Sequence, residues 1–232
     1  MFGWGRRMKR ALHEAFGSDK YSRFAINDLD VKLRKYCDQR GGYFIESGAN
    51  DGLNQSNTYW LERFRGWRGL LVEGVPELAA AARKNRPKAT VVHAALVADP
   101  SVKEVTMKTA NLMSIVKGAR GSDGSDDAHV KSGAAVQPGV AVREVRVPAR
   151  TLGSILDEVG APAVDLFSLD VEGYELEVLK GLDLSRQGPR FLLVETAKPE
   201  DVDALLGALY DRVDQLSFHD YLYARRDAAP RR

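Results

Sequence analysis

Residues 43–52, with the sequence YFIESGANDG, join a short apolar run to a turn that is broken by glycine. Such a run, ended by a turn, is typical of a buried strand. The spacing of Glu46, Gly48 and Gly52 suits a nucleotide-type loop, in which small residues let the backbone approach a ligand closely. The turn differs from the dinucleotide and Walker lysine motifs, because Asn50 replaces the middle glycine and no Gly-Lys-Ser/Thr follows. The segment predicts a cofactor site for a ligand other than NAD or ATP.

The next predicted strand carries an acidic residue at its end. Residues 56–64 predict an amphipathic helix, and residues 69–75, GLLVEGV, predict a buried strand that contains Glu73. In doubly wound sheets, an acid about 20 residues beyond the glycine turn accepts hydrogen bonds from ribose hydroxyls. We therefore expect Glu73 to bind the ribose of a cofactor.

Strands and helices alternate along the rest of the chain, which predicts an α/β fold with a doubly wound, largely parallel sheet. The residue 117–139 stretch is rich in Gly, Ser and Asp without an apolar period, and predicts a long loop or lid. The predicted helices are 5–16, 28–38, 76–84, 151–159, 173–182 and 199–210. The predicted strands are 43–47, 69–75, 90–96, 102–109, 142–149, 164–170, 191–197 and a pair within 213–224.

Several motifs occur in order and together resemble the FkbM family of S-adenosylmethionine-dependent methyltransferases. They are the GANDG turn, Ser56-Asn57-Thr58, WRGLLVEG and LDVEGYELEVLKGLD at 169–183. The resemblance spans about residues 40–200. It implies a Rossmann-like, doubly wound class I methyltransferase sheet, mostly parallel with a reversed last strand, and S-adenosylmethionine as the cofactor. The expected domains are a helical extension at 1–40, a methyltransferase domain at 41–225 with a lid insertion at about 111–140, and a basic tail at 226–232.

Ligands of such sheets gather beyond the carboxyl ends of the strands, near the topological switch. The resemblance implies that Glu46 holds the amino end of the methionine moiety directly or through water, that Glu73 holds the ribose, and that residues 94–96 lie against the adenine. For Thr58, capping of the following helix is the alternative explanation. The predicted cofactor-binding residues are Glu46, Gly48, Asn50, Asp51, Gly52, Asn54, Ser56, Asn57, Thr58, Glu73, Gly74, Ala94, Ala95, Leu96 and Asp170.

Two acids in LDVEGYE predict the reactive edge of the site. Asp170 ends an apolar strand, so we expect its carboxylate at the carboxyl edge of the sheet, facing the methyl donor. Glu172 precedes the next helix, where an acid also complements the helix dipole. Helix capping is therefore the alternative to a catalytic role for both acids.

Methyl transfer to oxygen requires removal of the hydroxyl proton, and two routes are open. A Mg²⁺ ion held by Asp170 and Glu195 would lower the pKa of the hydroxyl; some sugar O-methyltransferases of this architecture hold a metal with acids at these two strand ends. Thr196 stands where a further acid would be expected, which leaves metal use open. The other route is a histidine base, either His129 or His219.

The resemblance implies that the acceptor is a hydroxyl group of a sugar, a polysaccharide or a glycosylated natural product. A protein or nucleic-acid methyltransferase and a non-catalytic cofactor-binding module of the same fold are the alternatives. The chain lacks an Asn/Asp-Pro-Pro-aromatic motif and an extended basic face, so we expect no nucleic-acid partner. Retention of all the strand-end acids favours an enzyme.

Composition constrains the size, the partners and the location of the protein. With 232 residues, 44% of them hydrophobic, the chain is long enough for one substantial core, and its net charge of +2 provides little attraction for a polyanion. Cys37 is the only cysteine, which favours a reducing cytoplasm over an oxidising compartment. No apolar run approaches the ~18 residues that span a bilayer. A homodimer is expected only because symmetric dimers are the commonest assembly.

Overall fold

The computed structural model describes residues 4–137 and 139–227. The helices are α1 (Trp4–Ala15), α2 (Leu29–Lys32), α3 (Tyr59–Arg65), α4 (Pro76–Asn85), α5 (Asp123–Ala135), α6 (Leu152–Glu158), α7 (Glu175–Lys180), α8 (Leu184–Gln187) and α9 (Pro199–Leu206). The strands are β1 (Tyr43–Ser47), β2 (Arg68–Glu73), β3 (Thr90–His93), β4 (Ala95–Leu96), β5 (Glu104–Thr109), β6 (Ile115–Val116), β7 (Arg143–Arg150), β8 (Leu166–Leu169), β9 (Phe191–Glu195), β10 (Tyr210–Gln215) and β11 (Asp220–Arg225). Residues 228–232 of the predicted basic tail lie outside the described residues.

A seven-stranded sheet organises the molecule, in the order β10-β11-β9-β8-β1-β2-β3. Neighbouring strands from β9 to β3 run parallel, whereas β11 is antiparallel to both β9 and β10. The predicted doubly wound, Rossmann-like sheet with a reversed last strand is therefore confirmed. The chain leaves β1 toward β2 on one side and returns to β8 on the other, so the carboxyl end of β1 lies at the topological switch point.

Two apolar cores cover the two faces of this sheet. On one face, Ile45 and Phe167 pack with buried side chains of α6, α7 and α9. On the other face, Phe44 and Leu166 pack with buried side chains of α2, α3 and α4. Because both faces of the parallel strands are covered, β1 and β8 are buried along almost their whole length.

The predicted continuous strand at 90–96 is wrong. The chain breaks at Ala94, so that β3 ends the large sheet and β4 joins a second sheet in the order β4-β7-β5-β6. The β5 and β7 strands of this second sheet are antiparallel. The mainly apolar run at 90–96 concealed the break. The break allows the second sheet to cover the carboxyl end of β2.

The predicted loop at 117–139 is also wrong, because most of it forms α5. The helix begins after Ser122, whose Oγ accepts a hydrogen bond from the Ser125 N–H. It lacks a broad apolar stripe because it packs through few side chains: Val130 is fully buried with Ile115, and a Cβ at Gly133 would lie within 2.3 Å of the Met113 side chain. Small residues that weaken helix propensity here permit close packing.

Smaller differences concern the ends of the chain. The predicted helix at 28–38 is the short α2 with 3₁₀ turns on either side. Arg226, in the predicted tail, forms an ion pair with Asp211. Among the described residues, no helix combines the length and apolar character that crossing a bilayer requires.

Candidate functional site

Glu46, near the end of β1, folds the following loop back onto the strand. Its carboxylate accepts hydrogen bonds from Ser56 Oγ (2.9 Å), the Asn57 N–H (2.7 Å) and Thr58 Oγ1 (2.6 Å). Thr58 therefore does not cap α3 with its side chain; Ser56 Oγ instead accepts from the Tyr59 N–H. Both Glu46 oxygens are engaged by the protein, so Glu46 sets the position of the loop.

A buried arginine, which the sequence analysis missed, completes this network. Arg86 is fully buried, lies 3.0 Å from Glu62 Oε2 and 3.8 Å from Glu46 Oε2, and donates to Ser56 Oγ and Thr58 Oγ1. No motif marks it, because its partners come from other elements. A Cβ at Gly52, where φ is +78°, would lie 2.8 Å from Arg86 Cγ. This glycine admits the arginine.

Gly48 allows β1 and β8 to approach each other at the switch point. Its φ is +73°, and a Cβ at this position would lie 1.8 Å from the backbone oxygen of Asp170. Substitution would separate the two strand ends. The sequence predicts that Gly48 leaves room for a ligand. In the structure, Gly48 leaves room for the Asp170 backbone, which lies against the turn.

Glu73, at the end of β2, holds the same turn from the other side. Its carboxylate accepts from the N–H groups of Asn50 and Val75, each at 2.7 Å. Each oxygen retains one lone pair that can accept a further hydrogen bond. Burial raises the pKa of Glu73 to about 7 despite these backbone donors. Glu73 therefore fits the predicted ribose acceptor.

The buried carboxyl group of Glu73 is expected to destabilise the fold as pH rises. Its pKa is raised from 4.5 to about 7, so the folded protein binds this proton more tightly than the unfolded chain does. The resulting stability is full below about pH 4.5 and is lost as pH rises through about 7. Wild type should lose roughly 3 kcal/mol of stability over this window, and Glu73→Gln should not show this loss in urea unfolding at several pH values. The exposed Glu200→Gln is the control, and equal pH slopes for wild type and Glu73→Gln would contradict the assignment.

A cavity lies beyond the carboxyl ends of β1, β2 and β8. It contains about 880 Å³ of empty space including its open mouth. The predicted residues that line it are Glu46, Gly48, Asn50, Asn54, Ser56, Asn57, Glu73, Gly74, Ala94, Ala95, Leu96, Asp170 and Glu172. Further lining residues, which the sequence analysis missed, include Ser47, Met107, Asn111, Leu112, Ser114, Val116, Ser168 and Tyr174.

Three polar atoms of the cavity lining require a partner. Ser47 Oγ, Asn57 Oδ1 and Asp170 Oδ1 are buried and have no hydrogen-bond partner among the described residues. Buried polar atoms of folded proteins are nearly always hydrogen-bonded. Their shared position on one cavity indicates a polar ligand at the switch point.

The remaining predicted residues lie outside the cavity lining. Asp51 accepts from the Leu53 and Asn54 N–H groups and thereby shapes the turn. Gly52 and Thr58 lie against Arg86. These three residues stabilise the loop without lining the cavity.

A cluster of acids surrounds Asp170. Burial and the carboxylates of Glu195, Glu172, Glu175 and Asp220 raise the pKa of Asp170 well above its usual value. Burial and Asp220 likewise raise the pKa of Glu195. Carboxyl groups this close retain a proton at a pH where isolated acids are ionised. Because α7 begins at Glu175, neither Asp170 nor Glu172 caps it, and the capping alternative is wrong.

His219 lies beside this pair. Its Nδ1 is 3.7 Å from Glu195 Oε1, and its Nε2 is 3.5 Å from Asp220 Oδ2. Asp220 is directly opposite Glu195 in the β9–β11 register. Asp220 thus places a second acid beside Glu195, a pairing that the linear sequence conceals. Glu195, His219 and Asp220 bring three metal-ligating atoms within 4.8 Å of one another.

His129 lies on α5, and not in a loop as predicted. Its Nε2 is 3.1 Å from Glu172 Oε2, and Arg120 donates to the Glu172 backbone oxygen at 3.3 Å. These contacts fasten the insertion over the β8–α7 connection. The structure thus places His129 and His219 on different sides of the acid cluster, and neither lines the cavity.

The strand order, the glycine turn at the switch point and the acids at the ends of β2 and β8 define a Rossmann-like, S-adenosylmethionine-dependent methyltransferase of class I. The model of the methyltransferase FkbM domain matches residues 46–223. The chain belongs to the FkbM methyltransferase family.

Solved methyltransferase structures resemble the chain at low sequence identity. Methyltransferase FkbM from Methylobacillus flagellatus KT is 12% identical, with a TM-score of 0.46, and the match covers 95% of this chain and 60% of that chain. An S-adenosylmethionine-dependent methyltransferase from Aquifex aeolicus is 14% identical, with a TM-score of 0.45 and coverage of 97% and 98%. A TehB-like methyltransferase from Corynebacterium glutamicum is 11% identical, with a TM-score of 0.44 and coverage of 96% and 97%. No curated protein matches the chain.

Proposed function

We propose that this chain transfers a methyl group from S-adenosylmethionine to a hydroxyl group of a sugar, a polysaccharide or a glycosylated natural product. The observation that carries the proposal is the pair of adjacent acids Asp170 and Glu195, with Asp170 on the cavity beside the glycine turn. A carboxylate with a raised pKa is a stronger base than an ordinary one, which suits the removal of a hydroxyl proton.

Acidic, apolar and polar groups of the cavity lining suit the different parts of S-adenosylmethionine. Glu73 would accept the ribose hydroxyls, and the small residues Ala94–Leu96 together with Met107 would pack against the adenine. The unpartnered atoms of Ser47 and Asn57 would bind the methionine moiety. When bound, the cofactor supplies an electrophilic methyl group on its sulfonium centre. Glu46 would act indirectly, because its oxygens already hold the loop that carries Asn57.

Asp170 is the proposed general base. As the acceptor oxygen takes the methyl group and S-adenosylhomocysteine leaves, the Asp170 carboxylate would accept the hydroxyl proton. Glu195 adjoins Asp170, and His219 adjoins Glu195. These two residues would then accept this proton or stabilise it. His129 would instead hold the insertion in place through Glu172.

An exposed aromatic ring supports a sugar acceptor. Phe218 is 77% exposed, and its ring centroid lies 3.8 Å from that of His219. Aromatic rings offer an apolar face that stacks against a flat partner, and the C–H face of a sugar is such a partner. The neighbouring carboxylates would accept hydrogen bonds from its hydroxyl groups.

We also propose the cytoplasm as the place of action, because a single cysteine provides no disulfide within the chain.

Purified protein titrated calorimetrically with S-adenosylmethionine and S-adenosylhomocysteine, then incubated with a panel of sugar acceptors, tests the proposal. We expect micromolar binding of both nucleosides and formation of S-adenosylhomocysteine only when an acceptor is present. Mass spectrometry of the product should show one added methyl group. Absence of binding by folded protein would overturn the cofactor assignment. Methylation of protein or nucleic acid, with every sugar inert, would overturn the acceptor assignment.

A Mg²⁺-assisted form of this reaction is supported by Asp220, which supplies the further acid beside Glu195. The predicted ligands Asp170 and Glu195, joined by Asp220, offer the oxygen donors that Mg²⁺ prefers, and a bound cation would relieve the crowding that raises their pKa values. Bound there, Mg²⁺ would lower the pKa of the acceptor hydroxyl. We expect activity to fall at least about tenfold in a chelator and to return with Mg²⁺. Full activity in the chelator would show that the reaction needs no Mg²⁺ and that the carboxyl pair alone removes the proton.

A further inference from the structure

Helix α1 packs against the rest of the protein through polar side chains. Glu14 accepts hydrogen bonds from Ser22 Oγ (2.7 Å), the Tyr59 hydroxyl (2.7 Å) and Arg63 Nε (2.8 Å). The Arg10 guanidinium lies over the rings of Phe24 and Tyr59, at 5.4 and 5.6 Å from their centroids. These contacts fix the side of α1 that faces the protein.

The opposite side of α1 presents an apolar stripe to solvent. Met8 is 54% exposed, Leu12 is 60% exposed, and Phe16, which directly follows the helix, is 83% exposed. Their spacing of four residues puts them on one face. A surface helix of a globular protein normally turns its apolar face inward and its charged face outward. Helix α1 has the reverse orientation, so its apolar stripe is free to bind something else.

Exposed cations accompany this stripe. Arg6, Arg7 and Lys9 are exposed, and none of them forms an ion pair with another described residue. Glu14 is the only acid in the α1 sequence, and its side chain is only 6% exposed because it faces the protein. Lys9 is adjacent to Met8 beside the stripe, and Arg6 and Arg7 add exposed positive charge in the first turn of α1, without a compensating acid.

We propose that α1 binds the surface of an anionic lipid bilayer through this stripe. Interfacial helices combine a large apolar face with lysine and arginine, and they lie in the plane of the membrane. The cations of α1 complement anionic lipid headgroups. A second copy of the chain is the poorer occupant, because pairing two such stripes would bring uncompensated cations together. A single convex helix also provides no groove for a folded partner, whereas a bilayer requires none.

Helix α1 contacts an element that adjoins the cavity lining. Glu14 contacts Tyr59, the first residue of α3, and residues 54–57 immediately before α3 line the cavity. The matched FkbM domain begins at residue 46, so α1 lies outside it. Membrane binding would therefore be added to the methyltransferase domain by the N-terminal helix, with the site held near the bilayer.

Flotation of the full chain with lipid vesicles tests the proposal. We expect the protein to float with phosphatidylcholine vesicles that contain about 30% phosphatidylglycerol, and to bind pure phosphatidylcholine at least about tenfold more weakly. Leu12→Glu and Phe16→Glu should each weaken binding to the anionic vesicles about tenfold or more. Arg6→Glu combined with Lys9→Glu should have a similar effect, and so should about 0.5 M NaCl.

Val213→Glu is the matched control, because Val213 is an exposed apolar residue (45%) on the distant strand β10; it should float like wild type. Circular dichroism and S-adenosylmethionine titration should show that every variant is folded. Failure of wild type to float with the anionic vesicles would overturn the proposal, as would undiminished flotation of Leu12→Glu. A wild-type dimer in sedimentation, dissociated by Leu12→Glu, would assign the stripe to a second copy of the chain instead.

Discussion

Asp170→Asn is expected to lower turnover by about 100- to 10,000-fold, the usual contribution of a general base. The substitution retains the shape of the side chain but removes the group that accepts the hydroxyl proton. Affinity for S-adenosylmethionine should change by less than about threefold, because Glu73 and the loop that Glu46 holds would provide most of the cofactor contacts. Single-turnover rates and calorimetric titration of the same preparation measure the two quantities separately.

Two further variants make this result specific. Asp201→Asn changes an exposed acid in α9 and should leave both quantities unchanged. Glu73→Ala should have the opposite pattern, with cofactor affinity reduced about tenfold or more through the lost ribose contact. If Asp170→Asn weakens cofactor binding as much as it slows turnover, Asp170 belongs to the cofactor site and another group removes the proton.

Arg86→Met should destabilise the fold by about 3–5 kcal/mol, the usual cost of removing one partner from a buried ion pair. Glu46 and Glu62 would then remain buried without their cation, and Gly52 O, Ser56 and Thr58 would lose a donor. Methionine fills much of the same space, so the loss should be largely electrostatic. Urea unfolding followed by circular dichroism measures it.

The matched control is Arg83→Met, which changes an arginine in the last turn of α4, three residues before Arg86. Arg83 is exposed and donates only to the Val91 backbone oxygen at 3.2 Å, so its loss should cost less than about 1 kcal/mol. Arg86→Lys, which retains a charge but not the guanidinium fork, should fall between the two. Equal stability of Arg86→Met and wild type would show that the network contributes little to the fold.

Local patterns predicted the main sheet because its strands are short apolar runs buried on both faces. Glu73 and Asp170 were found for the same reason, since each follows such a run and must emerge at its carboxyl end. The helix α5 was missed because its glycines and serines lower helix propensity while permitting contact with Met113. Its capping serine, Ser122, followed by Asp123 and Asp126, was the available signal.

Residues whose roles depend on distant partners were beyond the reach of the sequence pattern. Asp220 joins the acid cluster only because β11 pairs with β9 in one register. Arg86 becomes the partner of Glu46 and Glu62 only after α4 has packed on the sheet. Met107 reaches the cavity because a second sheet covers the end of β2. In each case the contact is set by tertiary packing, for which the residue type alone provides no evidence.

The position of β11 between β9 and β10 has a consequence for biosynthesis. This strand is the latest of the three in the chain, yet it fills the gap between the other two. While a ribosome is still making residues 216–225, β9 has an open hydrogen-bonding edge, and such edges recruit other strands. A message truncated just after β10 would therefore yield an aggregation-prone product that lacks His219 and Asp220. Assembly of the acid cluster and protection of the sheet are completed together, by the same late segment.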